Sequence, residues 1–370
     1  MKTQKLTLVI LFLLAIHNLN AQNTNLGIGS GTGGTANVHI GKDAGAVSTA
    51  SNNSILGFEA GKTNTTGNTN AFLGGKSGFL NTTGSGNSFV GYGSGYSNTT
   101  GSWNTFLGSS SGYANTTALG NTYLGSSAGR FNTTGSWNTF LGNEAGYSNI
   151  GGYQNVYIGN KTNRLNTSGV NNTVLGYTAY SNNTNGIDNV ILGAGAGINN
   201  VNGSGNIFLG CRSGQNEMGS NKLYVHNSNT STPLIYGEFD NSKLIFNGKV
   251  GISTNTFPLT VGTANLSAYK LFVKGGILTE ELRVRTGWAD YVFNEDYKLK
   301  PLCDVEQYII ENKHLPNVPT EKQVLEEGLE IGSITRIQQE KIEELTLYLI
   351  ELNKKLEKQQ IQINQLNKYK

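Results

Sequence analysis

From Asn37 to Gly210 polar and apolar positions recur at a fixed period. A five-residue unit (Asn, a small or β-branched residue, an apolar or aromatic residue, an aliphatic residue, Gly) returns with its glycine at Gly41, Gly57, Gly74, Gly91, Gly108, Gly125, Gly142, Gly159, Gly176, Gly193 and Gly210. The first interval is 16 residues (57 − 41) and each of the other nine is 17. Short alternation signals a strand, and self-similarity at such a period marks a solenoid whose coils stack on their neighbours. The residue before each glycine is aliphatic, as in Leu56, Leu73, Val90, Leu107 and Leu124. The one before that is usually large, as in Phe72, Phe89, Phe106, Tyr123, Phe140, Tyr157 and Phe208. Successive strand side chains leave by opposite faces, so the two rows lie on opposite sides. Small residues three past the glycine (Ser77, Ser94, Ser111, Ala128, Ala145) let a narrow interior close on the Leu row. This predicts the aliphatic row inside and the aromatic row outside, needing cover from another chain.

Stacking repeats places identical residues above one another. Two Asn ladders are expected, Asn37 through Asn206 and Asn64 through Asn200, with amides bonded from coil to coil. At one strand spacing per coil the eleven units make a rod on the order of 50 Å long. Residues 22–36 read as a degenerate capping lead-in. Residues 221–287, with KLYVHN, PLIYGEF and KLIFNGKVGIS, read as a β-rich neck. Residues 288–336 form a more charged segment, and 337–370 a helix. On that helix Ile342, Leu345, Leu349, Leu352, Leu356, Gln359, Ile363 and Leu366 step by 3 and 4 alternately, the seam of a coiled coil. An amphipathic helix packed on its own domain is the competing reading, since Leu347, Tyr348 and Ile350 lie off the seam. The fold expected is mainly β: a parallel β-solenoid of 17-residue repeats, a β-rich neck, a small α+β domain and a coiled-coil helix, three chains together.

Composition refines this picture. The 370 residues are only 14% charged and include 50 glycines, but the periodic placement argues against disorder. A net charge of +3 without a Lys/Arg run excludes nucleic acid as the expected partner. Lys2 and Lys5, an apolar run from Leu6 to Ile16 and the small Ala21 fit a signal peptide cleaved after Ala21. The protein is therefore expected outside the cell or on its surface, outer-membrane associated, with no transmembrane segment after cleavage. Cys211 and Cys303 do not form a disulfide framework.

The units NTFLGSSSGYANTTALG and NSFVGYGSGYSNTTGSW resemble the repeats of phage tail-fibre-like proteins and, more loosely, the head repeats of trimeric autotransporter adhesins. Residues 288–359, with WADYVF, HLPNVP and KIEELTLY, resemble the C-terminal domain of tail-fibre-like surface proteins, a relative of the endosialidase-type intramolecular chaperone. Both resemblances imply homotrimers, with the chaperone-like domain gathering three chains so that the fibre winds in register. Self-releasing members of the chaperone family use a Ser in a Ser-Asp pair. Here the stretch reads Thr286-Gly287-Trp288-Ala289-Asp290: the Asp matches, but Ala289 carries no hydroxyl, so no self-cleavage is expected.

Chemical motifs add little. GFEAGKT at 57–63 is one residue short of a phosphate-binding loop. His39, His226 and His314 stand isolated, and the calcium-binding repeat pattern is absent, so no metal, cofactor or catalytic group is assigned. An ice-binding face built from the Thr-Thr turns is weakened at Ile150-Gly151 and Val201-Asn202, where the pair is lost. One surface feature stands out. Trp103 and Trp137 share a repeat position two units apart, and Phe79, Tyr96, Tyr113 and Tyr147 form another row. Packing explains such rows; a ladder of aromatic faces gripping a surface glycan or host-cell ligand also would. The function expected is an exported trimeric fibre or adhesin-like protein, not an enzyme. The alternative is a self-processing peptidase or a glycan-degrading tailspike-like enzyme.

Overall fold

The computed structural model describes residues 23–368; the expected signal peptide, 1–21, lies outside them. They form two compact units, the first ending at Gly248 and the second beginning at Lys249, so the stretch read as one neck is divided.

The first unit is a solenoid with one strand per coil. Strands β1 (Asn23–Leu26), β2 (Asn37–Ile40), β3 (Ser54–Leu56), β4 (Ala71–Leu73), β5 (Ser88–Val90), β6 (Thr105–Leu107), β7 (Thr122–Leu124), β8 (Thr139–Leu141), β9 (Val156–Ile158), β10 (Thr173–Leu175), β11 (Val190–Leu192), β12 (Ile207–Leu209) and β13 (Lys222–Val225) pair in parallel in sequence order. Then β14 (Ile235–Glu238) and β15 (Lys243–Phe246) add antiparallel rungs to the same sheet. Thirteen parallel rungs at one strand spacing extend about 58 Å. Within the lead-in, residues 23–36 form a true coil: β1 pairs with β2 in register Asn23↔Asn37, and Asn23 Oδ1 accepts from Asn37 N at 2.9 Å. Its spacing to the next coil, 14 residues instead of 17, hid it in the sequence.

The coil Asn104–Gly120 serves to number positions, Asn104 being position 1 and Gly120 position 17. The glycine at position 5 is required by geometry. Gly108 has φ +137°, and a Cβ there would lie 2.4 Å from the Gly125 carbonyl oxygen one coil on. No L side chain fits both constraints. This recurring contact is what the period records.

The two rows are inverted relative to expectation. The aromatic row is the core: Phe72, Phe89, Phe106, Tyr123, Phe140 and Tyr157 are fully buried, and their rings stack along the solenoid axis with neighbouring centroids 4.6–5.1 Å apart. The aliphatic row faces outward, with Leu107 43% and Leu124 40% exposed. The physical reason lies at position 9, where the chain passes against the ring; a Cβ on Gly112 would be 2.4 Å from Phe106. Small residues thus close on the aromatic row, not on the leucines. At one coil the ring and the glycine are both replaced. Val174 replaces the aromatic, and Tyr180 occupies position 9 of that coil, buried, its hydroxyl donating to the Gly203 carbonyl at 2.6 Å.

Both Asn rows are fully buried from Asn81 to Asn206. The Asn37–Asn206 ladder is bonded coil to coil throughout. The Asn64–Asn200 ladder breaks after Asn149, whose Oδ1 has no partner, and resumes with its bond reversed, Asn166 Nδ2 donating to Asn183 Oδ1. At position 1, Asn104 Oδ1 accepts from Asn121 N at 3.0 Å, and its Nδ2 donates to the Ala118 carbonyl at 2.9 Å. At position 12, Asn115 Nδ2 donates to Asn98 Oδ1 at 2.6 Å. With three-residue strands, these amides satisfy turn backbone that the sheet does not reach.

The second unit carries short strands β16 (Val250–Ile252), β17 (Thr260–Val261), β18 (Ala264–Asn265) and β19 (Leu271–Val273), then a 3₁₀ turn at Asp290–Phe293. Three helices follow: α1 (Leu302–Asn312), α2 (Glu321–Glu327) and α3 (Ile331–Asn367). Thr320 starts α2 with a capping box closed by Gln323. The 3₁₀ turn packs on α3, burying Ala289 and Val292. The 336/337 boundary expected between domain and coiled coil falls inside the continuous α3.

Candidate functional site

Two surfaces carry the residues singled out in the sequence. The first lies on the solenoid. Position 17 has left-handed backbone in coil after coil, φ 58° at Trp103 and 62° at Trp137, with Gly86 and Gly120 in the coils before each. Tryptophan rarely adopts that conformation. A Cβ on Gly86 would meet Trp103 at 2.9 Å and one on Gly120 would meet Trp137 at 2.4 Å, so each indole lies over the preceding glycine. The outer parts stay open: Trp103 is 66% exposed and Trp137 59%.

The tyrosine row is at position 10, and it is a stack. Phe79 and Tyr96 lie 5.0 Å apart at 5°, Tyr96 and Tyr113 4.9 Å apart at 6°. The same column holds three cations that the reading of aromatic residues alone passed over. Lys62 lies 5.8 Å from the Phe79 ring; Arg130 stands between Tyr113 (5.7 Å) and Tyr147 (6.0 Å); Arg164 lies 4.9 Å from Tyr147. Their identical offset from the repeat glycine was the signal available. In this ladder the ring faces of Tyr96 and Tyr113 are occupied by each other, leaving edges to solvent, so the open-faced aromatics among the candidates are the tryptophans.

Acids partner part of the column. Lys62 meets Glu59 at 2.7 Å, and Arg164 Nε donates to Glu144 Oε2 at 2.7 Å. The Lys62 ammonium hydrogen-bonded to Glu59 holds that carboxyl below its ordinary range, while partial desolvation opposes the shift.

The second surface is α3. Ile342, Leu345, Leu349, Leu352, Leu356, Ile363 and Leu366 are 49–70% exposed, and Gln359 is exposed between them. Beside Leu345, Leu349 and Leu352 runs a groove of about 910 Å³ whose other wall is Leu299, Pro301 and Leu315. Off the seam, the helix is fixed to its own unit: Tyr348 donates to the Lys300 carbonyl at 2.5 Å, and the hydroxyls of Tyr291 and Tyr297 donate to Glu340 and Glu344. Lys341 bridges Glu340 (3.0 Å) and Glu344 (2.7 Å). Burial pushes the Tyr297 hydroxyl upward, and its bond to the Glu344 carboxylate adds to the rise.

At the stretch compared with the chaperone's cleavage site, Ala289 is fully buried and Asp290 opens the 3₁₀ turn. Among the described residues no group of His, Cys, Asp and Glu is placed to hold a metal ion, and no helix is long and apolar enough to cross a membrane. No family model, curated protein or solved structure matches the chain.

Proposed function

We propose that the chain is an exported, homotrimeric fibre or adhesin-like surface protein, assembled by its chaperone-like C-terminal unit and presenting the solenoid as its contact surface. The observation that carries this reading is the uncovered seam of α3: seven apolar side chains at heptad spacing, while the N-terminal half of the helix is tied to its own unit at Glu340, Glu344 and Tyr348 and the stretch from Glu351 onward is exposed. A helix held in place with its apolar seam outward suits partner helices. The exposed Leu row of the solenoid is a second uncharged surface that neighbouring chains can cover. No catalytic role is assigned; a buried Ala289 where self-releasing domains carry a nucleophilic Ser favours a permanent clamp over a self-processing peptidase.

Light scattering on the secreted protein should give three chains per particle, and Leu349→Asp with Leu356→Asp should dissociate it. A monomeric wild type at micromolar concentration rules out the trimer. The glycan contact is proposed at Trp103 and Trp137, because a strained left-handed backbone at a bulky residue is retained where the surroundings or a function demand it. Trp103→Ala combined with Trp137→Ala should abolish glycan-array binding and leave particle mass unchanged. If the mass falls as well, these indoles belong to packing.

A further inference from the structure

We propose that the rung of Arg130 binds an acidic extended glycan, one that carries carboxylate or sulfate groups along its chain; the inference rests on the glycan-contact reading above and gives it a charge class. Arg130 lies 5.7 Å from the Tyr113 ring, 6.0 Å from Tyr147 and 5.7 Å from Phe131, wedged among three aromatic side chains. Among the described residues its guanidinium makes no hydrogen bond and no ion pair, and its Nε is buried without a partner. Arg164 stands two rungs on, against the same Tyr147, and there Glu144 takes the charge at 2.7 Å. One column, one shared aromatic neighbour and two arginines: one is neutralised and the other is left with its donors unused.

A guanidinium stacked on rings spends its faces on them and keeps its in-plane N–H groups for a planar or trigonal anion. Only Nε is buried and unmet; the terminal N–H groups, which make no bond within the chain, are the donors an external anion can reach. The adjoining column is position 7, as the Arg164 to Glu144 bond shows. Around Arg130 that column carries Ser110 and Ser127 in left-handed backbone, φ 55° and 57°, and one rung on Glu144, whose carboxylate is engaged by Arg164 at 2.7 Å. Hydroxyls, tyrosine edges and one unpaired cation suit a sugar bearing an acid. They do not suit nucleic acid, which requires open ring faces for base stacking and a run of cations for phosphates. The ring faces of Tyr96 and Tyr113 are closed on each other, and the neighbouring cations Lys62 and Arg164 are paired. Because the columns run along the solenoid axis at one strand spacing per rung, the ligand that follows them is extended.

The test uses the full secreted protein and three soluble polymers, polygalacturonate, dextran sulfate and unmodified dextran, at about 0.15 M salt to suppress diffuse attraction. Binding of either acidic polymer in preference to dextran is expected, and which of the two binds identifies the anion. Arg130→Gln should weaken that binding by about tenfold or more, the loss of a charge-assisted bond, with circular dichroism and melting midpoint unchanged. Lys270→Gln, at an exposed lysine of the second unit, should change nothing. The proposal is overturned if dextran binds as well as the acidic polymers, or if Lys270→Gln weakens binding as much as Arg130→Gln. Dextran binding that is lost in the double tryptophan variant would leave the glycan reading standing without its acidic class; no binding to any polymer removes both. Should Arg130→Gln fail to fold, the wild-type preference among the three polymers decides alone.

Discussion

A methyl group on Gly112 would sit 2.4 Å from the ring of Phe106, so in this coil the ring at position 3 is buried because position 9 gives way. Two substitutions measure this arrangement. Phe106→Ala removes one member of the continuous ring stack and should cost about 3–5 kcal/mol per chain in a denaturant titration. Leu124→Ala, one residue past a core ring but on the outer face, should cost only about 1 kcal/mol. A larger midpoint shift from Leu124→Ala than from Phe106→Ala would show the faces assigned the wrong way round. That assignment was the part of the coil hidden in the sequence: a period of two says that Phe106 and Leu107 oppose each other and is silent on which is inside. The deciding signal was present at one coil, where Val174 and Tyr180 exchange the aromatic and the glycine within the same repeat.

At the scale of the element, the Asn ladders replace sheet that the three-residue strands cannot supply. Asn104→Ala would leave the Asn121 N–H and the Ala118 carbonyl without partners, at about 1–3 kcal/mol for each group left unpaired in the interior. Faster hydrogen exchange at the Asn121 amide should report it. The ladders were legible because each Asn recurs at a fixed offset from a glycine; Arg130 and Arg164 recur at a fixed offset too, but a column mixing rings and cations does not show as a ladder until the stack is seen. On α3 the electrostatics set a pH dependence. Burial opposes the charge of Glu340, but the Tyr291 hydroxyl, Lys341 and Asn317 outweigh it and hold the carboxyl below its ordinary range. A carboxylate depressed in the folded state contributes stability above its unfolded value, about 4.3, and loses it as pH falls through the folded value. The helical circular dichroism signal, which reports α1–α3, should therefore melt at lower temperature as pH drops below about 4.3. Glu340→Gln should flatten that slope and lower the melting temperature at neutral pH; an unchanged slope would show that Glu340 does not govern it.

At the scale of the molecule, the solenoid is a sum of equal steps, each bonded only to the one before and the one after. Excising residues 104–120, one whole coil, should leave a folded and slightly less stable body, because Asn87 then meets Asn121 as it met Asn104. Excising 104–119 offsets the glycine contact and both ladders by one residue and should unfold the neighbouring coils; circular dichroism melting of the two deletions separates these outcomes. Equal steps also carry no address. Nothing in the contact between two adjacent coils says which coil it is, so a strand that docks one turn too early satisfies nearly the same bonds as one that docks correctly. Only the exceptions break that degeneracy, among them His39 and Ile55 at the ring position of the second and third rungs, and Val174 with Tyr180 and then Ile191 far along the stack. Those irregular rungs are the landmarks by which a growing chain can count its own turns.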